Sequence, residues 1–391
     1  MTGLEVLLPP VLGPFVHLVL DRPDLQDELG ALADVDSFID VTLAIAGQHD
    51  VAVPEEVLRS VLRPDPLGLG RFAAAPITLD RWPPRGWLPT RSVPTGGAPD
   101  LDWLWFGSRP LTAPFFEDEV RRASFLPINW LLRIRTSLAD LVADAGSQES
   151  LPLKGLIFHM SRCGSTLAAQ MLSAVPAHAV SSEPEPLDAV LRWAVDSGIE
   201  AEPADAAVRA IVAALGRMRL PGQTSHFIKL EVWHTHYLPA LRRAFEQTNW
   251  VYLHRDPVEV LVSLIEQPSM HTLPGVAFDT QLEASDGADF TARALAGYSR
   301  AVVTNWGVGG GVALDYPDIA RAMPSTVARH FGLSLSDTDR SIMEQAGSRN
   351  AKAPSETFSS DSERKRAAAG PEVRAAAEHW LDPIRQTLLA L

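Results

Sequence analysis

The stretch Phe158-His-Met-Ser-Arg-Cys-Gly-Ser-Thr-Leu-Ala-Ala-Gln-Met-Leu172 decides the fold. Before it, the apolar run Gly155-Leu-Ile-Phe158 reads as a buried strand. After it, Leu167, Met171 and Leu172 fall on one side of a helical pattern. A strand, a short loop holding Gly164 and then a helix make an anion-binding arrangement. The backbone N–H groups of the loop and of the first helical turn point at one spot, and the helix dipole adds positive potential there. Ser165 and Thr166 add hydroxyl donors, and Arg162 adds a fixed charge. A tight turn that binds nothing is the competing reading, and the convergence of so many donors argues against it. The loop is expected to hold a phosphate or a sulfate through Arg162, Cys163, Gly164, Ser165 and Thr166.

Composition narrows the partners. The chain has 391 residues, enough for one large domain and a smaller one, with an ordinary apolar fraction of 46% and charged fraction of 21%. A net charge of −14 argues against nucleic acid and anionic membranes, so an anionic ligand must be held by local cations and backbone donors. Cys163 is the single cysteine, which excludes an intrachain disulfide. No apolar run is long enough to span a bilayer, and Glu5, Pro9, Pro10 and Pro14 spoil a signal peptide. These features read as a cytoplasmic protein without a membrane partner; a homo-oligomer is compatible with them.

Three zones follow along the chain. Residues 1–65 read as a small helical domain: Pro23 opens one helix, Asp36 or Ser37 caps a second, and Pro54-Glu-Glu starts a third. Residues 66–150 read as a Pro- and Trp-rich irregular linker to about residue 114, then a helical extension. Trp82, Trp87, Trp103 and Trp105 are too many to leave in water, so this zone is expected to pack on a domain. Residues 151–391 alternate strands and helices, the pattern of an α/β domain with a parallel sheet flanked by helices. Ligands of such sheets bind at the carboxyl ends of the strands.

A second motif, Trp250-Val-Tyr-Leu-His-Arg-Asp-Pro-Val-Glu-Val-Leu-Val-Ser263, lies further on. A strand ends at Arg255, Pro257 opens a helix, and Ser263 sits two turns down it, so Arg255 and Ser263 form a clamp for a second anion. The loop lacks the Lys that a nucleoside-triphosphate loop carries after its last Gly, which weighs against an ATPase or a nucleotide kinase. His254-Arg-Asp256 imitates a protein-kinase catalytic loop, but Leu261 stands where that loop needs Asn.

Together, Ser161-Arg-Cys-Gly-Ser-Thr166 and Arg255-Asp-Pro-Val-Glu-Val-Leu-Val-Ser263 resemble the two donor-binding motifs of sulfotransferases that use 3′-phosphoadenosine 5′-phosphosulfate (PAPS). The resemblance runs from about Leu153 to the C-terminus and is nearest to tyrosylprotein sulfotransferases and related bacterial proteins. It implies a P-loop nucleotide-binding fold, the 5′-phosphosulfate on the first motif and the 3′-phosphate on Arg255 and Ser263, with no metal required. It also implies a catalytic Glu183, at the end of the second strand, as the base that takes the acceptor's proton, with Glu185 as fallback. His234 is the alternative base, and Lys229 and Arg162 stand beside the leaving group. The loop Gly347-Ser-Arg-Asn-Ala-Lys352 resembles a lid, from which Arg349 or Lys352 reaches a phosphate, while Glu363-Arg-Lys-Arg366 reads as a solvated helix start. Residues 21–58 resemble, more loosely, the Nif11-like leader domain of bacterial modified-peptide precursors, which would point to a peptide or a small metabolite as acceptor. A small-molecule kinase and a non-catalytic nucleotide-binding module are the alternatives.

Overall fold

A computed structural model describes residues 8–65, 67, 69, 77–275, 287–350, 353–357 and 361–391. Lys352 lies outside the described residues. The chain divides into two compact units: Met1–Leu151 with Pro184–Thr224, and Pro152–Glu183 with Ser225–Leu391.

The first unit opens with four helices, α1 (Gly13–Leu20), α2 (Pro23–Gly30), α3 (Val35–Gln48) and α4 (Glu55–Val61). Pro23 begins α2 as expected, since its missing N–H is one the first turn would leave unbonded anyway. The cap of α3 is Asp34, not Asp36 or Ser37: its carboxylate accepts from the Ser37 N–H at 2.8 Å. The zone read as an irregular linker holds strands instead. β1 (Ile77–Leu79), β2 (Trp87–Val93), β3 (Asp100–Trp105) and β4 (Ile134–Ser137) form a sheet in the order β1-β4-β3-β2. Pro89 cannot donate to the β2–β3 ladder, and the register shifts between Pro89 and Arg91. That break hides the strand from a periodicity reading.

The tryptophans of this zone are buried as expected, and the indoles of Trp82, Trp87 and Trp103 each find a partner, while the Trp105 indole N–H has none among the described residues. Trp82 donates to the Leu141 carbonyl at 2.8 Å, Trp87 to Gln26 Oε1 at 2.9 Å, and Trp103 to Thr136 Oγ1 at 2.9 Å. Three short helices, α5 (Phe116–Ala123), α6 (Pro127–Leu131) and α7 (Leu138–Asp144), complete the N-terminal part of this unit.

The second unit is built on a five-stranded, wholly parallel sheet. Its strands are β5 (Leu153–His159), β6 (His178–Ser182), β7 (Ser225–Lys229), β8 (Asn249–His254) and β9 (Gly311–Asp315), in the order β6-β7-β5-β8-β9. β5 is central, paired along both edges, and buried from Gly155 to His159 on both faces, so its apolar residues run without alternation. Gly155 is required there: a Cβ would lie 2.7 Å from the Phe331 ring. Parallel neighbours need crossovers. These are α8 (Ser165–Ser173), α9 (Glu185–Asp196) with α10 (Ala201–Leu215), α11 (Leu238–Ala244), and α12 (Pro257–Glu266) with α13 (Ala288–Thr304). α9 and α10 leave the sheet's sequence and belong to the first unit. From β5 the chain turns to one side to make β6, and after β7 it returns to the other side to make β8. The sheet therefore reverses between β5 and β8, and the crevice outside their carboxyl ends is where this architecture binds ligands.

Candidate active site at the carboxyl ends of the parallel strands

Both motifs meet at that reversal. β5 ends at His159, and the loop that follows is held to β8 by the Met160 N–H on the Leu253 carbonyl at 3.1 Å. Ser161 and Arg162 have φ of 78° and 49°, sparsely populated values for side-chain-bearing residues, and Gly164 has φ 86°. Successive residues turned this way aim their amides into one concavity. Gly164 caps α8, where a Cβ would meet the Tyr316 ring at 2.7 Å, so both its φ and its surroundings require glycine. Ser165 and Thr166 form the first turn, both largely buried. Cys163 is fully buried and donates to the Leu253 carbonyl at 3.1 Å; burial pushes its thiol up to about 11. It is a small structural residue, not a nucleophile.

The second motif is folded as its sequence suggests. Asp256 accepts from the N–H groups of Val258 and Glu259 at 3.0 and 3.3 Å, and Pro257 opens α12. Arg162 reaches across from the first motif. Its Nε donates to Ser263 Oγ at 3.0 Å and its terminal nitrogen to Gln267 Oε1 at 2.6 Å. Arg255 is buried, lies 4.1 Å from the centre of the Tyr316 ring, and is bonded to Glu259 Oε2 through Nε at 2.7 Å. It also donates to Asp361 Oδ1 at 3.1 Å and to Ser362 Oγ at 3.2 Å. The segment read as a solvated helix start is exposed at Glu363, Arg364 and Arg366 but buried at Lys365. In the helix Ser362–Ala368, Lys365 is buried on Asp361 at 2.7 Å, Arg366 pairs with the buried Glu259 at 2.7 Å, and Arg364 pairs with Glu266 at 2.9 Å. Arg349, the other lid cation expected, is exposed.

A third cluster joins three neighbouring strands. Parallel register pairs Lys229 with Ser182 on β6 and with Ile157 on β5. This places His159, Glu183 and Lys229 side by side, although they are far apart in the chain. The Glu183 N–H donates to the Lys229 carbonyl at 2.7 Å, which pins the residue at φ 56°. Its Oε1 lies 2.7 Å from Lys229 Nζ and 3.4 Å from His159 Nε2. His159 Nδ1 accepts from the Ser161 N–H at 3.2 Å, so Nε2 carries the proton and donates to the Leu230 carbonyl at 2.9 Å. Burial lowers the pKa of this ring, against the pull of Glu183, and keeps it neutral. Burial opposes ionisation of Glu183 as well, but the Lys229 charge and the hydrogen bonds from His159 and Lys229 outweigh it and hold the carboxyl well below its usual range.

The other base candidates have different surroundings. Glu185 starts α9 in the first unit, where its two oxygens accept from the Ser92 N–H and hydroxyl at 2.7 and 2.5 Å. His234 is fully buried on the turn Val232–Tyr237, and its Nδ1 accepts from the Glu231 N–H at 3.2 Å. His159, Glu259, Asp361 and Ser362 were not legible as site residues. Glu259 alone left a sequence signal, its place one helical turn after Arg255.

Residues 156–337 match the model described as the sulfotransferase family. No curated protein sequence matches the chain. Among solved structures, a sulfotransferase from Mycobacterium avium aligns at 15% identity with a TM-score of 0.40, over 64% of this chain and 78% of that one. A sulfotransferase from Mycobacterium tuberculosis aligns at 16% identity with a TM-score of 0.36, over 68% and 86%. A mouse sulfotransferase complexed with PAP aligns at 10% identity with a TM-score of 0.35, over 64% and 93%. The matched residues hold the loop after β5, the Glu183–Lys229 pair and the Arg255–Ser263 segment, on a parallel sheet flanked by helices, and over residues 156–337 the chain is similar to the sulfotransferase family.

Proposed function

We propose that the protein transfers a sulfuryl group from PAPS to the hydroxyl of a small-molecule or peptide acceptor. The observation that carries this reading is the Glu183–Lys229 pair, a carboxylate and an ammonium 2.7 Å apart at the ends of adjacent strands beside an anion-binding loop. The residues present suit the donor. The loop amides, Ser165 and Thr166 form a cradle for its 5′-phosphosulfate. Arg162, Ser263 and Arg255 supply donors for its 3′-phosphate, in exchange for the contacts they make with one another and with Asp361.

The donor brings the sulfuryl group, already bonded to a good leaving oxygen. As the acceptor oxygen bonds to sulfur, the bond from sulfur to the phosphate oxygen breaks and the acceptor proton leaves. Glu183 is ionised at neutral pH and takes that proton. Lys229 and the loop amides stabilise the charge that grows on the leaving oxygen. Paired with Lys229, Glu183 is a weak base. As Lys229 turns toward the leaving oxygen, the carboxylate loses its counter-charge and gains basicity when a proton must be removed. His159, neutral and bonded at both nitrogens, orients Glu183 and does not compete for the proton.

Calorimetry with adenosine 3′,5′-bisphosphate and with ADP, on wild type and Arg255→Ala, tests the donor. A preference for the bisphosphate that the variant loses supports PAPS. Equal or tighter binding of ADP would sink the reading and favour a kinase.

A further inference from the structure

We propose that one water molecule, buried between β8 and the last helix (Asp382–Leu389), joins Arg385 to His254, and that Arg385 so held positions Arg255 for the donor's 3′-phosphate. The inference rests on the sulfotransferase reading and deepens it, since Arg385 lies outside the residues that match the family.

A small cavity is lined by residues of both elements. Water centres can occupy about 10 Å³ of it, the room of one molecule. His254, Arg255 and Arg385 line it, and Met160, Leu381 and Leu388 make much of its apolar wall. Two buried atoms of these side chains, His254 Nδ1 and Arg385 Nε, stand without hydrogen-bond partners among the described residues. Other buried atoms lack partners too, but these two belong to side chains that share one cavity. Buried polar groups are rarely left unpaired, and water often completes them. Burial lowers the pKa of His254, and Arg385 adds to this against the pull of Asp315, so the ring is neutral at pH 7. Arg385 Nε can only donate, whereas a neutral imidazole has one nitrogen that accepts. A water serves both at once, accepting from the guanidinium and donating to the ring. Asp315 Oδ1, 3.7 Å from His254 Nδ1 and too far for a direct bond, can take the second proton of the water. An anion here would face Asp256 and Asp315, and a metal cation would face Arg385, so a neutral molecule suits the charges.

Arg385 reaches the donor clamp through its other two nitrogens. One donates to Asp315 Oδ2 at 3.1 Å, and the other lies 3.6 Å from Asp256 Oδ2. Asp256 follows Arg255 in the chain and caps α12. Asp315 accepts from the Tyr316 N–H at 2.9 Å, and the centre of the Tyr316 ring lies 4.1 Å from the Arg255 guanidinium. Arg385 is thus tied to the chain neighbours of both members of the Arg255–Tyr316 stack. A guanidinium is a rigid planar fork, so a water bonded at Nε fixes its plane and, with it, the reach to both carboxylates.

Two measurements on the full chain test the two halves. A crystal structure at a resolution that shows ordered water should hold one water within about 2.7–3.2 Å of both His254 Nδ1 and Arg385 Nε. A dry cavity, or Arg385 Nε bonded directly to a protein acceptor, overturns the water site. Calorimetry then compares wild type with Arg385→Met, using adenosine 3′,5′-bisphosphate and ADP, which has no 3′-phosphate. The variant should lose about fivefold in bisphosphate affinity, while its ADP affinity stays within about twofold of wild type. If Arg385→Met melts early, Arg385→Lys, which keeps the charge but lacks Nε, takes its place and should lose about threefold for the bisphosphate alone. Unchanged bisphosphate affinity, or an equal loss for both nucleotides, overturns the positioning role. A wild-type protein that binds no bisphosphate overturns the donor reading and the positioning role with it, and leaves the water site to stand or fall by the crystal alone.

Discussion

Lys229 is 1% exposed and its ammonium rests on one carboxylate oxygen, so neither member of the pair is removable alone without cost. Breaking a buried ion pair from one side costs about 3–5 kcal/mol, because the survivor keeps its charge without its partner. Glu183→Gln should therefore lower the urea midpoint clearly, and it should cut turnover by about 10²–10⁴ as the base is lost. The double variant Glu183→Gln, Lys229→Met should regain part of that stability; a double variant weaker than either single one would contradict the pairing. The pH dependence has a definite sign. The folded-state pKa of Glu183 is depressed, so its stabilisation is complete above the ordinary carboxylate value of about 4.3 and is lost as pH falls through the lower folded value. The difference in melting temperature between wild type and Glu183→Gln should shrink below about pH 4.3. A difference that stays flat into strong acid would show that the carboxylate is not ionised by Lys229.

At the level of elements, the loop between β5 and α8 depends on a backbone only glycine tolerates at position 164. Gly164→Ala adds a Cβ to a residue at φ 86° and drives it to 2.7 Å from the Tyr316 ring. About 1–2 kcal/mol of backbone strain plus the displaced ring should reduce bisphosphate affinity at least tenfold, measured by calorimetry; unaltered affinity would remove the loop from the donor site. The helix Ser362–Ala368 supplies the opposite case. Asp361 and Ser362, at its start, hold Arg255 with bonds a phosphate would want. Asp361→Asn should raise bisphosphate affinity a few-fold by removing a competing negative charge, whereas a fall in affinity would mean that Asp361 orients Arg255 for the ligand.

In the molecule as a whole, the crossover between β6 and β7 does not stay with its sheet. α9 and α10 fold with the N-terminal residues. The Arg217 guanidinium, after α10, donates to the Pro83 carbonyl at 2.6 Å, and the Leu151 N–H donates to the Gly216 carbonyl at 2.8 Å. Leu187, Val190 and Leu191 of α9, and Val208 and Ile211 of α10, are buried there. Each such side chain contributes about 1.5–3 kcal/mol when buried. Residues 152–391 produced alone should expose these faces, bind a hydrophobic dye and sediment as aggregates. A monodisperse 152–391 fragment with a cooperative melt would show that α9 and α10 do not need the N-terminal unit.

The sequence by itself determined the parallel α/β unit, the glycine-bearing strand-to-helix loop at residues 161–166 and the proline-opened helix after Arg255. Each of these is local: an apolar run, a glycine at a strand-to-helix turn, and a proline-opened helix whose spacing is written in adjacent residues. It also determined that the tryptophans between Trp82 and Trp105 would be buried, because their area is too large for water, but not that they would lie in or beside a sheet. The ladder of β2 and β3 is interrupted at Pro89, and pairing between strands leaves no period in one of them alone. Only the tertiary structure decided that His159, Glu183 and Lys229 form one cluster, because parallel register, not chain distance, sets which strand ends meet. It alone decided the neutral state of His159 and the engagement of Arg255 by Asp361. Burial and hydrogen-bond partners belong to the packed chain, and no spacing of residue types carries them.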